Sequence, residues 1–452
     1  MRSTPPQPEQ WSNRALARLL LPLIGEQILT LTMGIADTIM VSGVGEFAVS
    51  GVSLVDSINS LIIMAFAALA AGGTVVVSQY LGRGDMKNAS LAARQLMYAA
   101  TGISLLLMLP ILFIRRPILS LVFGSLSGDV MEAAAIYFLF TALSFPFLAI
   151  YNSTSAIYRA MSNSRVPMLI ALLVNVLKIG GNVLFIFGLH MGTAGAGLST
   201  LILRVAAAVI LTAMLMSGRQ KIVSLEGLFR IKLEFSMIRS ILSVGIPSAL
   251  ENSMFYLGRL LTTRFIAAFG TAAIAANAIS TIVNSICFMP GQAFGLALLT
   301  IVGQCVGRRD YNAARYYTKK IIKICYITLI TLSITNLVFL EPIVSLFKLS
   351  PEAHAMAKSF LMVHSVTLGL FWPLSFGIPS ALRAAGDATY CMIVATLTMY
   401  FIRISGAYIL VFPLGAGPLG VWFAMGADFI ARSFFYTMRW RKGKWQQKKV
   451  ID

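Results

Sequence analysis

SQYLGRGD (residues 78–85) returns 225 positions later as GQCVGRRD (303–310), and the correspondence extends well beyond these eight letters. At the same offset, without a gap, Pro22, Glu26, Gly45, Asn59 and Ser60 fall on Pro247, Glu251, Gly270, Asn284 and Ser285. Within the signature, Gln79, Gly82, Arg83 and Asp85 fall on Gln304, Gly307, Arg308 and Asp310. Further on, Lys178, Ile179 and Gly181 meet Arg403, Ile404 and Gly406. The chain reads as a tandem duplication. In an apolar sequence this predicts two similar helical bundles facing each other, with a site between them, as is typical of secondary transporters.

Of the 452 residues, 58% are hydrophobic and 12% charged, and the mean hydropathy is +0.81. These values exclude a soluble globular domain. Stretches long enough to cross ~30 Å of hydrocarbon recur throughout. Twelve spans are predicted, at roughly 16–42, 50–77, 92–114, 131–156, 166–188, 194–217, 240–267, 275–303, 319–341, 357–380, 390–412 and 418–438. The expected fold is an all-α integral membrane protein with twelve transmembrane helices in two six-helix lobes. Residues 1–14 form a polar tail, 15–217 the first lobe and 218–239 a basic linker with room for a short surface helix. The second lobe covers 240–439, and 440–452 is a basic tail. Six spans per repeat, an even number, give both lobes the same orientation and an axis along the membrane normal.

The net charge of +19 is distributed in alternation. Arg83, Lys87 and Arg94, then Arg159 and Arg165, then Arg219, Lys221, Arg230 and Lys232 occupy every second connection. Arg308, Arg309, Arg315, Lys319 and Lys320 continue the series, and Arg439, Arg441, Lys442, Lys444, Lys448 and Lys449 end it. The connections between are poor in charge, Arg115 and Arg116 excepted. This positive-inside pattern predicts a cytoplasmic membrane protein with both termini in the cytoplasm, its basic faces meeting anionic lipid rather than nucleic acid. Cys287, Cys305, Cys325 and Cys391 lie in or beside spans, so no disulfide is expected. The three histidines have no His or Cys neighbour in sequence, so no metal site is expected. Pro5, Pro6, Pro8 and Glu9 precede the first apolar run, which is read as an anchor rather than a cleaved signal.

Ionisable groups inside spans usually face a bundle interior or an aqueous cavity. Asp37 lies within the first span, about three turns beyond Glu26. Asn175, Lys178 and Asn182, at i, i+3 and i+7, share one face of the fifth. Thr200 and Arg204 share a face of the sixth. Asp37 with Lys178, Asn182, Asn175 and Thr200 is therefore the candidate ion-coupling set. The second lobe offers Glu251, Arg259, Arg403, Asp428 and Arg432. A structural pair is expected for Asp428 with Arg432, at i, i+4. Glu26 and Asp56 remain open between structure and gating. Lys178 and Arg403 are repeat mates, and each calls for an acid partner: Asp37 for Lys178, and Glu251 or Asp428 for Arg403.

The chain resembles the multidrug and toxic compound extrusion (MATE) family over residues 16–440. The resemblance rests on Pro22 followed by ADTIMVSGVGE (to Glu46), on both signatures, on ENSMFYLGRLL (251–261) and GTAAIAANAIS (270–280), and on GQCVGRRDYNAARYYTKK (303–320) and ALRAAGDA (381–388). It implies a twelve-helix antiporter that exports organic cations and drugs by alternating access, driven by inward Na⁺ or H⁺. Carried over by position, the family's amino-lobe cation site falls on Asp37, Lys178, Asn182 and Thr200. Lysine stands at 178 where the family carries asparagine, which favours H⁺ over Na⁺. The carboxy-lobe acid falls on Glu251, and Met254, Phe255, Tyr256 and Met289 nearby suit lipophilic cations. Trp372 and Pro373 stand where some members have a second acid.

The expected protein is a monomer without cofactors. No nucleophile–base set or nucleotide loop suggests an enzyme. A flippase for a lipid-linked precursor, from the same broader superfamily, is the alternative; it would show extra spans and a strongly cationic cavity, to which Lys178 and Arg403 contribute. A channel fits the duplication less well than alternating access does.

Overall fold

Backbone in hydrocarbon must satisfy its N–H and C=O groups within its own segment, so each apolar run folds as a helix. The computed structural model describes residues 11–124, 126–217 and 222–451. Residues 1–10 of the expected amino-terminal tail, 218–221 of the linker (with Arg219 and Lys221) and the final Asp452 lie outside them. The first lobe contains α1 (Asn13–Ser42), α2 (Glu46–Arg83), α3 (Met86–Phe123), α4, α5 (Arg165–Gly188) and α6 (Gly192–Met216). Here α4 consists of Gly128–Leu143 and Phe145–Ala160, bent by 45°. The second lobe repeats the order: α7 (Phe235–Ala267), α8 (Thr271–Gly307), α9 (Tyr311–Val338), α10 (Pro351–Ala384), α11 (Ala388–Val411) and α12 (Leu419–Arg441). Among the described residues, nine helices, or ten when bent α4 counts as one span, are long and apolar enough to cross a membrane. The other two traverses, α7 and α12, are those that carry Glu251, Arg259, Asp428 and Arg432.

Two local features differ from expectation. Arg115 and Arg116 do not sit in a loop, because α3 continues past them to Phe123 with non-helical geometry only at Ile114 (φ −122°, ψ 28°). The following Pro117 supplies a cause, since its ring opposes a straight helix. In the linker, residues 222–234 form turns rather than a surface helix. Polar side chains of α3 hold them: Arg94 Nη1 donates to Glu226 O at 2.8 Å, Gln95 Nε2 to Lys232 O at 2.7 Å and Tyr98 Oη to Leu228 O at 2.6 Å.

The duplicated signature is where the lobes meet. The C-terminal ends of α2 and α8 cross so closely that a Cβ on Gly82 would overlap the backbone of Gln304, and one on Gly307 the backbone of Gln79. Only glycine allows that approach. Gln79 Nε2 donates to Ala384 O at 2.8 Å, and Gln304 Nε2 donates to Ala160 O at 2.9 Å, so each amide reaches into the opposite lobe. Arg308 Nε adds a bond to Gly82 O at 3.2 Å. The closing aspartates cap the next helices: Asp85 accepts from Asn88 N at 3.0 Å, and Asp310 from Ala313 N at 2.9 Å. The backbone and side-chain amides of Asn88 hold the Asp85 carboxyl below the usual carboxylate range.

The starts of the two first helices are exchanged as well. Leu16, Leu19, Leu20 and Leu23 of α1 belong to the core of the second lobe, with Phe294, Leu298 and Ile301. Met237 and Ile241 of α7 belong to the core of the first, with Val76 and Val77. These contacts lie at the end that carries both termini: Trp11 N donates to Tyr317 Oη at 3.2 Å. At the same end Trp445 stacks on Trp440 at 4.2 Å between ring centroids, and Val450 packs against both cores.

Candidate functional site in each lobe

In the first lobe, α1 presents Asp37 to α5, where Lys178 and Asn182 stand one turn apart on one face. The Lys178 ammonium pairs with Asp37 Oδ2, and Asn182 Nδ2 donates to Asp37 Oδ1 at 2.8 Å. Both carboxylate oxygens are thereby engaged. Immediately after Asn182, Val183–Gly188 winds into a π-helical turn, a geometry often found at functional sites. Beside the pair lies a cavity of about 20 Å³ lined by Asp37, Asp56, Tyr137 and Thr200, room for about one water. Tyr137 Oη donates to Asp56 Oδ1 at 3.2 Å, and Thr200 Oγ1 to Ala196 O of its own helix at 2.9 Å. Asn175 does not join the group. Its amide donates to Leu29 O on α1 at 2.7 Å and fastens α5 two turns away. Arg204 Nη1 donates to Ser144 Oγ at 2.7 Å, at the bend of α4.

The second lobe is built differently around the same scaffold. Arg403, the repeat mate of Lys178, lies in the π-helical turn Met399–Ile404 of α11. Its nearest acid is Asp428 on α12, with Nη1 to Oδ2 at 3.9 Å, too far for a hydrogen bond. Asp428 is committed to Arg432, whose Nε lies 2.8 Å from Oδ1. Arg432 also donates to Thr398 Oγ1 at 3.1 Å and Ala395 O at 3.2 Å. The Phe255 ring on α7 lies under both guanidiniums, 5.1 Å from Arg403 and 5.7 Å from Arg432. Phe255 makes an edge contact with Phe376, which stacks on Trp372. Met254 Sδ accepts from Tyr400 Oη at 3.5 Å, Tyr256 is half-buried and Met289 is buried.

Glu251 does not pair with Arg403. Arg383 Nη1 lies 3.1 Å from Glu251 Oε2, and Arg159 Nη1 lies 3.1 Å from Glu26 Oε1. These are two copies of one bridge, from the first helix of each lobe to the end of the fourth. The partners are offset by 224 rather than 225 positions, which hid them from a fixed-offset comparison. Tyr137 gave no signal in the sequence because a tyrosine within a span is not ionised and is ordinary packing material.

The MatE family profile matches the chain twice, over residues 22–184 and 247–409, which is the repeat offset again. The chain belongs to the MATE family. It is 30% identical over 439 residues to the uncharacterized transporter YisQ of Bacillus subtilis, covering 96% of this chain and 95% of that protein. Identity is 28% over 448 residues to the probable multidrug resistance protein NorM of Thermotoga maritima, with 97% and 94% covered. A crystal structure of a MATE protein in a bent conformation superposes with a TM-score of 0.89 at 20% identity, over 95% of this chain and 94% of that one. The MATE fold thus accounts for all twelve traverses, and the chain is a multi-pass membrane protein of a transporter family.

Proposed function

We propose that the chain is a proton-coupled antiporter of the cell membrane that exports drug-sized amphiphiles by alternating access of its two lobes. The observation that carries this reading is the Lys178 ammonium docked on Asp37 beside the small polar cavity. A tethered ammonium fills the position the family resemblance assigns to a coupling cation, which disfavours Na⁺ there and leaves the proton. Protonating Asp37 removes the partner of Lys178, and the adjoining π-helical turn gives α5 a weak point at which to repack. Two states separated by one proton follow.

On the positive-inside reading the interlocked ends of α2 and α8 face the cytoplasm, which supports an inward-closed state. Opening it requires Gln79 and Gln304 to leave the opposite lobe, a rigid-body rocking of one bundle against the other. Organic cations, expected from the acid at 251, would have to compete with Arg383 for Glu251. Reconstitution into proteoliposomes with separately imposed pH and Na⁺ gradients tests the reading. A pH gradient alone should drive dye efflux in wild type, and Lys178→Asn should introduce Na⁺ dependence. Na⁺-driven transport by wild type without a pH gradient would overturn it.

A further inference from the structure

Lys178 and Arg403 occupy equivalent positions, but only Lys178 has a carboxylate of its own. At the 225 offset the counterpart of Asp37 is Thr262, a buried residue whose hydroxyl donates to Gly258 O at 3.1 Å within its own helix. The one acid near Arg403, Asp428, has no counterpart acid in the first lobe, where Leu203 stands, and it is held by Arg432. Arg403 is 4% exposed, and neither its Nε nor its Nη1 has a hydrogen-bond partner. A third guanidinium, Arg259, stands one turn beyond Phe255 on α7, within electrostatic range of Arg403, and is exposed. With Glu251 neutralised by Arg383, Arg403 and Arg432 share the single carboxylate of Asp428, and Arg259 adds a third positive charge within electrostatic range of Arg403. An excess of positive charge in a membrane interior calls for a counter-anion.

We infer that Arg403 on α11, its guanidinium over the Phe255 ring of α7, and Arg259 one turn beyond Phe255 form an oxyanion-binding site that takes the carboxylate or phosphate of an amphiphilic ligand. The two unpartnered nitrogens of Arg403 leave N–H donors on two edges of its guanidinium open to an oxyanion. Phe255 and the adjoining Phe376 and Trp372 supply flat apolar surface for the ligand body. The lobe that lacks a counterpart of Asp37 thus takes the missing anion from the ligand. This assignment rests on the transporter reading only in taking the second lobe as the place where substrate enters.

Equilibrium binding to the purified protein in detergent, with no gradient applied, tests the site separately from coupling. The probes are 2-naphthoate, neutral 2-naphthamide and soluble dihexanoyl phosphatidate, followed by calorimetry at neutral pH. Wild type should bind at least one of the two anionic probes about tenfold more tightly than the amide, the scale of one charged hydrogen bond. Arg403→Gln should abolish that preference and Arg403→Lys should keep part of it. Arg259→Gln, at an exposed position, should weaken anion binding and serves if Arg403→Gln does not fold. A preference confined to 2-naphthoate assigns the anion to a solute carboxylate, and one confined to phosphatidate assigns it to a lipid phosphate. Equal binding of anions and amide by wild type, or an anion preference that survives both glutamine variants, overturns the site. Loss of proton coupling with this preference intact would instead refute the antiport reading alone.

Discussion

Asp37→Asn keeps the size and shape of the side chain but removes the charge that balances Lys178. Gradient-driven efflux should vanish while the protein still folds. The stability loss should stay below the ~3–5 kcal/mol typical of a broken buried pair, because the Asp37 side chain is 25% exposed. Thermal unfolding and proteoliposome transport check the two halves, and near-wild-type transport would remove Asp37 from coupling. Glu251 belongs to the other kind of charged residue. As the mate of the Glu26–Arg159 bridge it should act structurally, so Glu251→Gln and Glu26→Gln should each lower the unfolding temperature. Glu251→Gln should also reduce resistance to cationic and neutral compounds alike, and a selective loss for cations would show that Glu251 meets substrate. The Lys178–Asp37 pairing could be anticipated from helical spacing, since Lys178 and Asn182 had to share a face. Asn175 was grouped with them on the same argument and fell elsewhere. Spacing fixes a face, but the height at which a second helix crosses it depends on packing.

Helices were legible as far as their apolar runs reached, and their ends were not. The runs predicted for α2 and α8 stop at about 77 and 303, whereas the helices continue to Arg83 and Gly307, because polar backbone beyond the hydrocarbon remains helical until a cap ends it. Gly84 and Arg308 stand at those ends, and Asp85 and Asp310 cap the starts of α3 and α9. Asp85→Ala and Asp310→Ala should each cost about 1 kcal/mol, read as a shift in thermal midpoint. Asp85 adds a pH dependence. Its folded pKa is depressed, so its contribution is complete above the ordinary aspartate value, about 3.9, and is lost as pH falls through the lower folded value. Asp85→Asn, which retains an acceptor oxygen, should flatten that acid limb without removing the cap. A limb as steep in the variant as in wild type would contradict the assignment. The π-helical turns after Asn182 and around Arg403 could not be foreseen, since no residue preference distinguishes them from ordinary helix in these sequences.

At the scale of the molecule, the duplication visible in the sequence gives the architecture, and its glycines give the closure. Gly82→Val should force the crossed ends of α2 and α8 apart, because the added side chain would meet the Gln304 backbone. Ser78 is fully buried at this crossing. In a background with the four native cysteines replaced, Ser78→Cys should therefore resist maleimide, and addition of Gly82→Val should raise its labelling severalfold. Unchanged labelling would mean that the crossing does not close the inner face. That α1 and α7 begin in each other's cores was not legible beforehand, since apolar side chains look alike whichever lobe receives them. The folded-back carboxy-terminal segment has a consequence for handling the protein. Trp445 is wedged under Trp440, and Val450 rests on Gly386 and against both lobes. A fluorescent reporter or affinity handle fused directly behind Val450 would pull on a strap that touches both lobes, which separate in the proposed cycle. It would report a transporter biased by its own label, and a spacer long enough to leave that strap seated removes the artefact.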